Sequence, residues 1–245
     1  MIIIVCLFLS LAVSAAAEPL RSTGMVMPYQ QVELAASSDG VVTDILVKEG
    51  EWVAADQVLA RLDSAREALE VDYSKAVLEK RLADLATAEM LFGEKIFSKN
   101  QVEEKRIDAK LAETQYRLAQ GKLQSRSIRA PFAGLVLRLY RQRGESIHSL
   151  ERFSELADLS RVQITLYLEA ANLLQVKPGQ MAEVIIPLIR QEPFTGVVDV
   201  VDPVVDPSSG VFRVKVLVDN SDRQIRTGTK ANVLLREQAA DVTTK

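Results

Sequence analysis

The sequence predicts an elongated α+β protein: a β-sandwich split by an antiparallel α-helical coiled-coil hairpin, followed by a small β-barrel. Three observations predict it. Residues 40–53 and 134–147 are two copies of one β-motif; an offset of 94 superposes Gly40 on Gly134, Gly50 on Gly144, Glu51 on Glu145, Val53 on Ile147 and Ala36 on Ala130. Half a motif cannot bury its apolar face alone, so the copies are expected to pack on each other. Between them lie two long stretches with apolar residues every seven positions, and after them come several short alternating strands separated by turn residues.

The chain of 245 residues begins with an apolar run, Ile2 to Val13, that closes on Ala15-Ala16-Ala17 before the first charge at Glu18. That is the pattern of a cleaved export signal over 1–17, and it is shorter than the roughly 20 apolar residues a bilayer span requires. No Lys or Arg precedes the run, which leaves an uncleaved anchor as the alternative. Cys6, the one cysteine, falls inside it. A mature chain without this segment has no thiol for a disulfide, a metal or a nucleophile.

Residues 18–35 are read as an N-terminal strand segment and 36–63 as the first half of the sandwich, with Gly40 and Gly50 as its turns. The hairpin is placed at 64–125. In its first helix Val71, Leu78, Leu85 and Phe92 recur every seven residues, with Leu82 on the adjoining row. In the second, Val102, Ala109, Tyr116 and Leu123 do so, with Ala112 and Ala119 between. Such narrow stripes are the seam of a two-helix coiled coil, and its alanines allow close backbone approach. A 29-residue helix at 1.5 Å per residue is roughly 43 Å long. Gly93 is the expected helix stop, and Ser98-Lys99-Asn100-Gln101 reads as a capping box. The charges along both helices read as a solvated face.

The second sandwich half is expected over 126–158, re-entered through Pro131 and turning at Gly134 and Gly144. A barrel follows over 159–237, with strands at Val162–Leu168, Met181–Pro187, Phe194–Val201, Val211–Asp219 and Ala231–Leu235 and turns that include Gly179 and Gly196. Residues 238–245 read as a flexible tail.

Little in this chain points to catalysis. His148 is the single histidine, expected exposed in a loop, and no P-loop, dinucleotide or G-x-S-x-G pattern occurs. Asp202 and Asp206 flank proline turns, where Asp is favoured for backbone bonding. Met25 and Met27 share a strand face; core packing is the expectation for the methionines, with a copper site as the alternative. No cofactor is expected and the protein is read as not an enzyme. A net charge of −3 gives no reason to expect nucleic acid as a partner.

These parts in this order resemble the periplasmic adaptor, or membrane fusion, proteins of RND/HlyD-type tripartite efflux systems. The resemblance rests on the split lipoyl-like motif at Gly40–Asp63 and Ala130–Asp158, and on Gly50-Glu51-Trp52-Val53 leading to Val58-Leu59-Ala60-Arg61-Leu62, where Asp56-Gln57 stands for the usual Gly. Arg129-Ala130-Pro131-Phe132-Ala133-Gly134 matches the family's re-entry motif. Lys177-Pro178-Gly179-Gln180, Phe194-Thr195-Gly196, Asp202-Pro203-Val204-Val205-Asp206 and Thr227-Gly228-Thr229 match its barrel.

The resemblance implies a lipoyl-like fold without lipoate, a hairpin reaching a TolC-like outer-membrane channel and a barrel facing an inner-membrane transporter of the RND rather than the ABC class. It also implies a homo-oligomeric ring, trimer or hexamer, in the periplasm at the inner membrane, in a short form lacking most of the membrane-proximal domain. At the hairpin tip it singles out Leu91, Gly93, Lys95 and Ser98 for the channel contact, with Thr87 where the family's Arg would stand. The alternatives are a coiled-coil scaffolding protein of the envelope and a module binding copper or a small ligand.

Overall fold

A computed structural model describes residues 20–236; the expected signal and tail lie outside the described residues. These residues form two units, one of residues 30–159 and one joining residues up to Tyr29 with those from Ser160 onward. Strands β1 (Leu20–Ala35) and β8 (Arg152–Glu169) contribute to both.

In the 30–159 unit the two motif copies fold onto each other with two-fold internal symmetry. Strand β2 (Gly40–Ile45) pairs antiparallel with β7 (Ser146–Ile147), Gly40 opposite Ile147. The equivalent pairing sets β3 (Trp52–Val53) against β6 (Gly134–Leu139), Val53 opposite Gly134. Backbone bonds repeat with the same offset: Gly50 N–H donates to the Val136 carbonyl at 2.8 Å, and Gly144 N–H to that of Val42 at 2.8 Å. Asp56 N–H reaches the Ala130 carbonyl at 2.8 Å, and Leu150 N–H that of Ala36 at 2.9 Å. Each copy therefore completes the other's ladder, and neither could satisfy its polar backbone alone. Strand β4 (Val58–Leu62) lies between β2 and β5 (Ser127–Arg129). Val42, Leu59, Leu62, Val136, Ile147, Phe153 and Leu156 fill the core at 1% exposure or less.

Helices α1 (Ala65–Gly93) and α2 (Lys99–Gln124) leave this unit as an antiparallel pair. The buried seam contains Ser74 and Ala88 from α1 and Val102, Ala109, Ala112 and Ala119 from α2; Val71, Leu78 and Leu85 are half-buried beside it. Ser74 is tolerated there because its hydroxyl donates to the Val71 carbonyl at 3.0 Å. Two expected seam residues turn outward. Leu82 is 50% exposed, because the inward position of that turn belongs to Arg81, whose guanidinium reaches Asp108 of α2 at 3.9 Å. Phe92 is 47% exposed because the connection folds over Leu91 instead, whose carbonyl accepts from the N–H groups of Ile96 and Phe97.

The other unit is a barrel. Its strands run in the order β1, β12 (Lys230–Leu235), β9 (Met181–Ile186), β10 (Arg190–Val201), β11 (Val211–Asp219), β8, and β1 also pairs with β8, closing the ring. Alternate residues Ile164, Leu166, Val184, Ile186, Phe212, Val214 and Val216 point inward. The methionines do not join them. Met25 and Met27 sit on the outer face of β1 and Met181 on that of β9, all more than 40% exposed, because the inward phase of each strand belongs to its β-branched neighbours; Met90 of α1 is exposed as well. Asn220 is buried, yet its amide is satisfied by the N–H and carbonyl of Ile225, which closes the loop before β12.

Candidate functional site: the helical hairpin

The tip begins where α1 stops. Gly93 is its last helical residue; a Cβ there would meet nothing within 4 Å, and its φ is not left-handed. The helix thus stops at Gly93 as expected, but the left-handed turn beyond it is made by Lys95, at φ 63°, and not by a glycine. Ser98 caps α2: its hydroxyl accepts from Gln101 N–H, while the Gln101 side chain accepts from Ser98 N–H at 2.8 Å. Leu91 is half-buried, and Lys95 and Ser98 are exposed together with Ile96, at 63%, and Met90. The four expected tip residues thus lie within eight positions of chain, around an apolar side chain, Ile96, that sequence reasoning did not single out.

Of the residues expected at turns, Gly50, Gly144 and Gly179 hold φ of 80°, 88° and 85°. Gly40, Gly134 and Gly196 lie in strands instead. Close approach requires two of them: a Cβ on Gly134 would stand 2.5 Å from the Ala157 carbonyl oxygen, and one on Gly196 2.7 Å from Val216. Pro131 occupies the bend between β5 and β6.

The shaft is stapled by charges. Arg106 of α2 reaches Glu89 of α1 at 3.0 Å and Glu103 at 3.2 Å, and both contacts favour its cation. Lys122 meets Glu70 at 2.6 Å. Glu113 is held below the usual carboxylate range by Arg117 and then Lys110. The charges expected to be merely solvated therefore partly bridge the two helices, though exposed pairs of this kind contribute little each. At the root, Arg126 binds Glu67 at 2.7 Å, where both side chains are largely buried, and it also donates to the Asp39 carbonyl. The guanidinium keeps Glu67 below the usual carboxylate range.

The outward faces are mixed, with exposed apolar residues recurring among the charged ones. On α2, Ile107, Leu111 and Leu118 are 54%, 59% and 63% exposed and follow one another at four and seven residues, opposite the seam. On α1, Leu69, Tyr73 and Met90 stand on the matching outer face, also exposed. A hairpin that met only water would carry polar residues there. The seven-residue step from Leu111 to Leu118 was visible in the sequence as a second row, but periodicity alone does not tell an inner row from an outer one.

His148 is exposed, 3.8 Å from Asp39. Asp202 binds Arg213, and Asp206 accepts from Ser208 N–H and from the Ser208 and Ser209 hydroxyls. Among the described residues no group of three His, Cys, Asp or Glu is arranged to hold a metal, and no helix is long and apolar enough to cross a membrane.

Comparison with known proteins bears on both units. Residues 30–158 match the family described as CzcB-like, barrel-sandwich hybrid domain, and residues 162–239 the CusB-like, beta-barrel domain. An uncharacterised protein of Haemophilus influenzae is 23% identical over 205 residues, 83% of this chain and 53% of its own; the chain thus spans about half the length of that curated relative. Among solved structures, a MacA-MexA chimera carrying the Pseudomonas aeruginosa MexA α-hairpin superposes with a TM-score of 0.77 at 21% identity, over 90% of this chain and 81% of that one. A putative efflux transporter from Bacteroides eggerthii gives 0.72 at 20%, over 93% and 71%. MacA from Actinobacillus actinomycetemcomitans gives 0.69 at 22%, over 89% and 78%.

Proposed function

Because this chain belongs to the CzcB-like barrel-sandwich hybrid family of membrane fusion proteins, the adaptors of efflux systems, we propose that it serves as the periplasmic adaptor of a tripartite pump. It links an inner-membrane transporter to a TolC-like outer-membrane channel. Export rests on residues 1–17, and the adaptor works at the inner membrane by binding rather than by catalysis. The RND designation of the barrel family supports a transporter of that class.

The observation that carries this reading is the pair of exposed apolar rows on the outer faces of α1 and α2. In a ring of copies, α1 of one hairpin lies against α2 of the next. The cross-helix pairs Lys122–Glu70 and Arg106–Glu89 set the heights, so Tyr73 then meets Leu118 and Met90 meets Ile107, and the tip residues Leu91, Gly93, Lys95 and Ser98 stay free for the channel. Burying such rows contributes about 25 cal/mol per Å² of apolar surface, repeated at each contact around a ring.

The test is Leu111→Asp with Leu118→Asp. Both side chains are exposed, so the helix content measured by circular dichroism is expected to stay unchanged while chemical cross-linking between copies and efflux are both lost. Cross-linked rings and full efflux in the double variant would refute the reading.

A further inference from the structure

At the root of the hairpin, α1 and α2 meet the β4–β5 ladder and leave a groove of about 580 Å³. Its lining holds three guanidiniums, Arg61, Arg126 and Arg129, and no carboxylate, together with an apolar strip at Val71 and Leu123 that is flanked by neutral polar side chains, Gln120 and Gln124 among them. The strand register explains the cluster. Arg61 stands opposite Ser127 and Val58 opposite Arg129, while Leu62 and Ile128 turn into the core, so Arg61 and Arg129 emerge on one face of neighbouring strands.

The three cations are not equally engaged. Arg126 is spent on Glu67 and on the Asp39 carbonyl. Arg129 donates to the Asp56 carbonyl at 2.9 Å and lies 3.6 Å from its well-exposed carboxylate. Arg61 makes no ion pair with any described residue, and its side chain is exposed. Like charges on adjacent strands repel, and the fork of a guanidinium matches an oxyanion with two parallel donors.

We infer that this groove binds a small amphipathic oxyanion, its carboxylate or phosphate head on Arg61 and Arg129 and its short hydrocarbon body along Val71 and Leu123. The head needs the free fork of Arg61. The body needs the apolar wall, which bare inorganic phosphate would not use. The site does not depend on the adaptor reading, since every residue in it belongs to the 30–159 unit.

The test is calorimetric titration of the purified full chain with octanoate, octyl phosphate, inorganic phosphate and octanol, all below micelle-forming concentrations. One-site binding of at least one octyl anion is expected, with inorganic phosphate and octanol each at least ten-fold weaker; which octyl anion binds tighter identifies the source of the head group. Arg61→Ala is expected to weaken binding ten-fold or more and Arg61→Glu to abolish it, at an unchanged thermal midpoint. Arg143→Ala, at an exposed arginine elsewhere in the unit, is expected to leave binding unaltered. The inference is overturned if neither octyl anion binds, if octanol or phosphate binds as tightly, or if Arg61→Ala binds like the parent chain. Cross-linking and efflux of the Arg61→Ala chain report separately on the adaptor reading.

Discussion

Asp56 and Leu150 hold φ of 62° and 70°, occupy equivalent places in the two motif copies and send their N–H groups to equivalent carbonyls, those of Ala130 and Ala36. A left-handed conformation costs an L-residue with a branched side chain roughly 1–2 kcal/mol. Asp tolerates it through local hydrogen bonding, whereas Leu150, 85% exposed, gains no packing in return. Leu150→Gly is therefore expected to stabilise the protein. The gain is about 0.5 kcal/mol once the added entropy of the unfolded chain is subtracted, and it should appear as a higher midpoint in thermal unfolding. Asp56→Gly should give less. The missing glycine at Asp56-Gln57 was visible in the sequence. That Asp56 keeps the left-handed turn without glycine, and that Leu150 does the same, was not, because φ is imposed by the ladder that each residue closes.

Among the elements, the helix pair was the most legible, since good helix formers and a seven-residue rhythm act locally and the capping box at Ser98 needs only four residues. The end of α1 was less so: the helix does stop at Gly93, yet the left-handed residue that turns the chain is Lys95, with the N–H groups of Ile96 and Phe97 fastened to the Leu91 carbonyl. The root pair of Glu67 and Arg126 has a pH signature. Arg126 lowers the folded pKa of Glu67, so its contribution is fully present above the unfolded value of about 4.3 and is lost as pH falls through the folded value. Glu67→Gln is expected to cost about 1.5 kcal/mol at pH 7. The difference from the parent chain in thermal midpoint should shrink as pH drops below about 4. A pH-independent difference would mean that the carboxylate contributes through packing alone.

At the scale of the whole molecule, assembly separates into two surfaces with different readouts. The proposed adaptor role puts lateral packing at the rows around Leu111 and Leu118 and the channel contact at the tip. Leu91→Asp and Ile96→Asp are each expected to leave cross-linked rings intact while abolishing capture of an outer-membrane protein and lowering efflux to the level of a strain without the adaptor. Loss of the rings in these variants would place lateral packing at the tip as well. Thr87, whose hydroxyl is used on the Ala83 carbonyl at 3.0 Å, offers the channel no charge. Replacing it by Arg is thus a natural companion variant.

What the chain determined by itself was everything set by local chemistry or internal likeness: the repeated motif, the helices and their rhythm, the cap at Ser98 and the alternation of the barrel strands. What only the tertiary structure decided was which of two equally periodic rows faces a partner. Leu82, Phe92 and the four described methionines look like core residues in sequence yet stand in solvent. Arg61 and Arg129, sixty-eight residues apart, share one face only because β4 pairs with β5. Periodicity states which side chains point the same way, and burial depends on whether another element arrives to cover them.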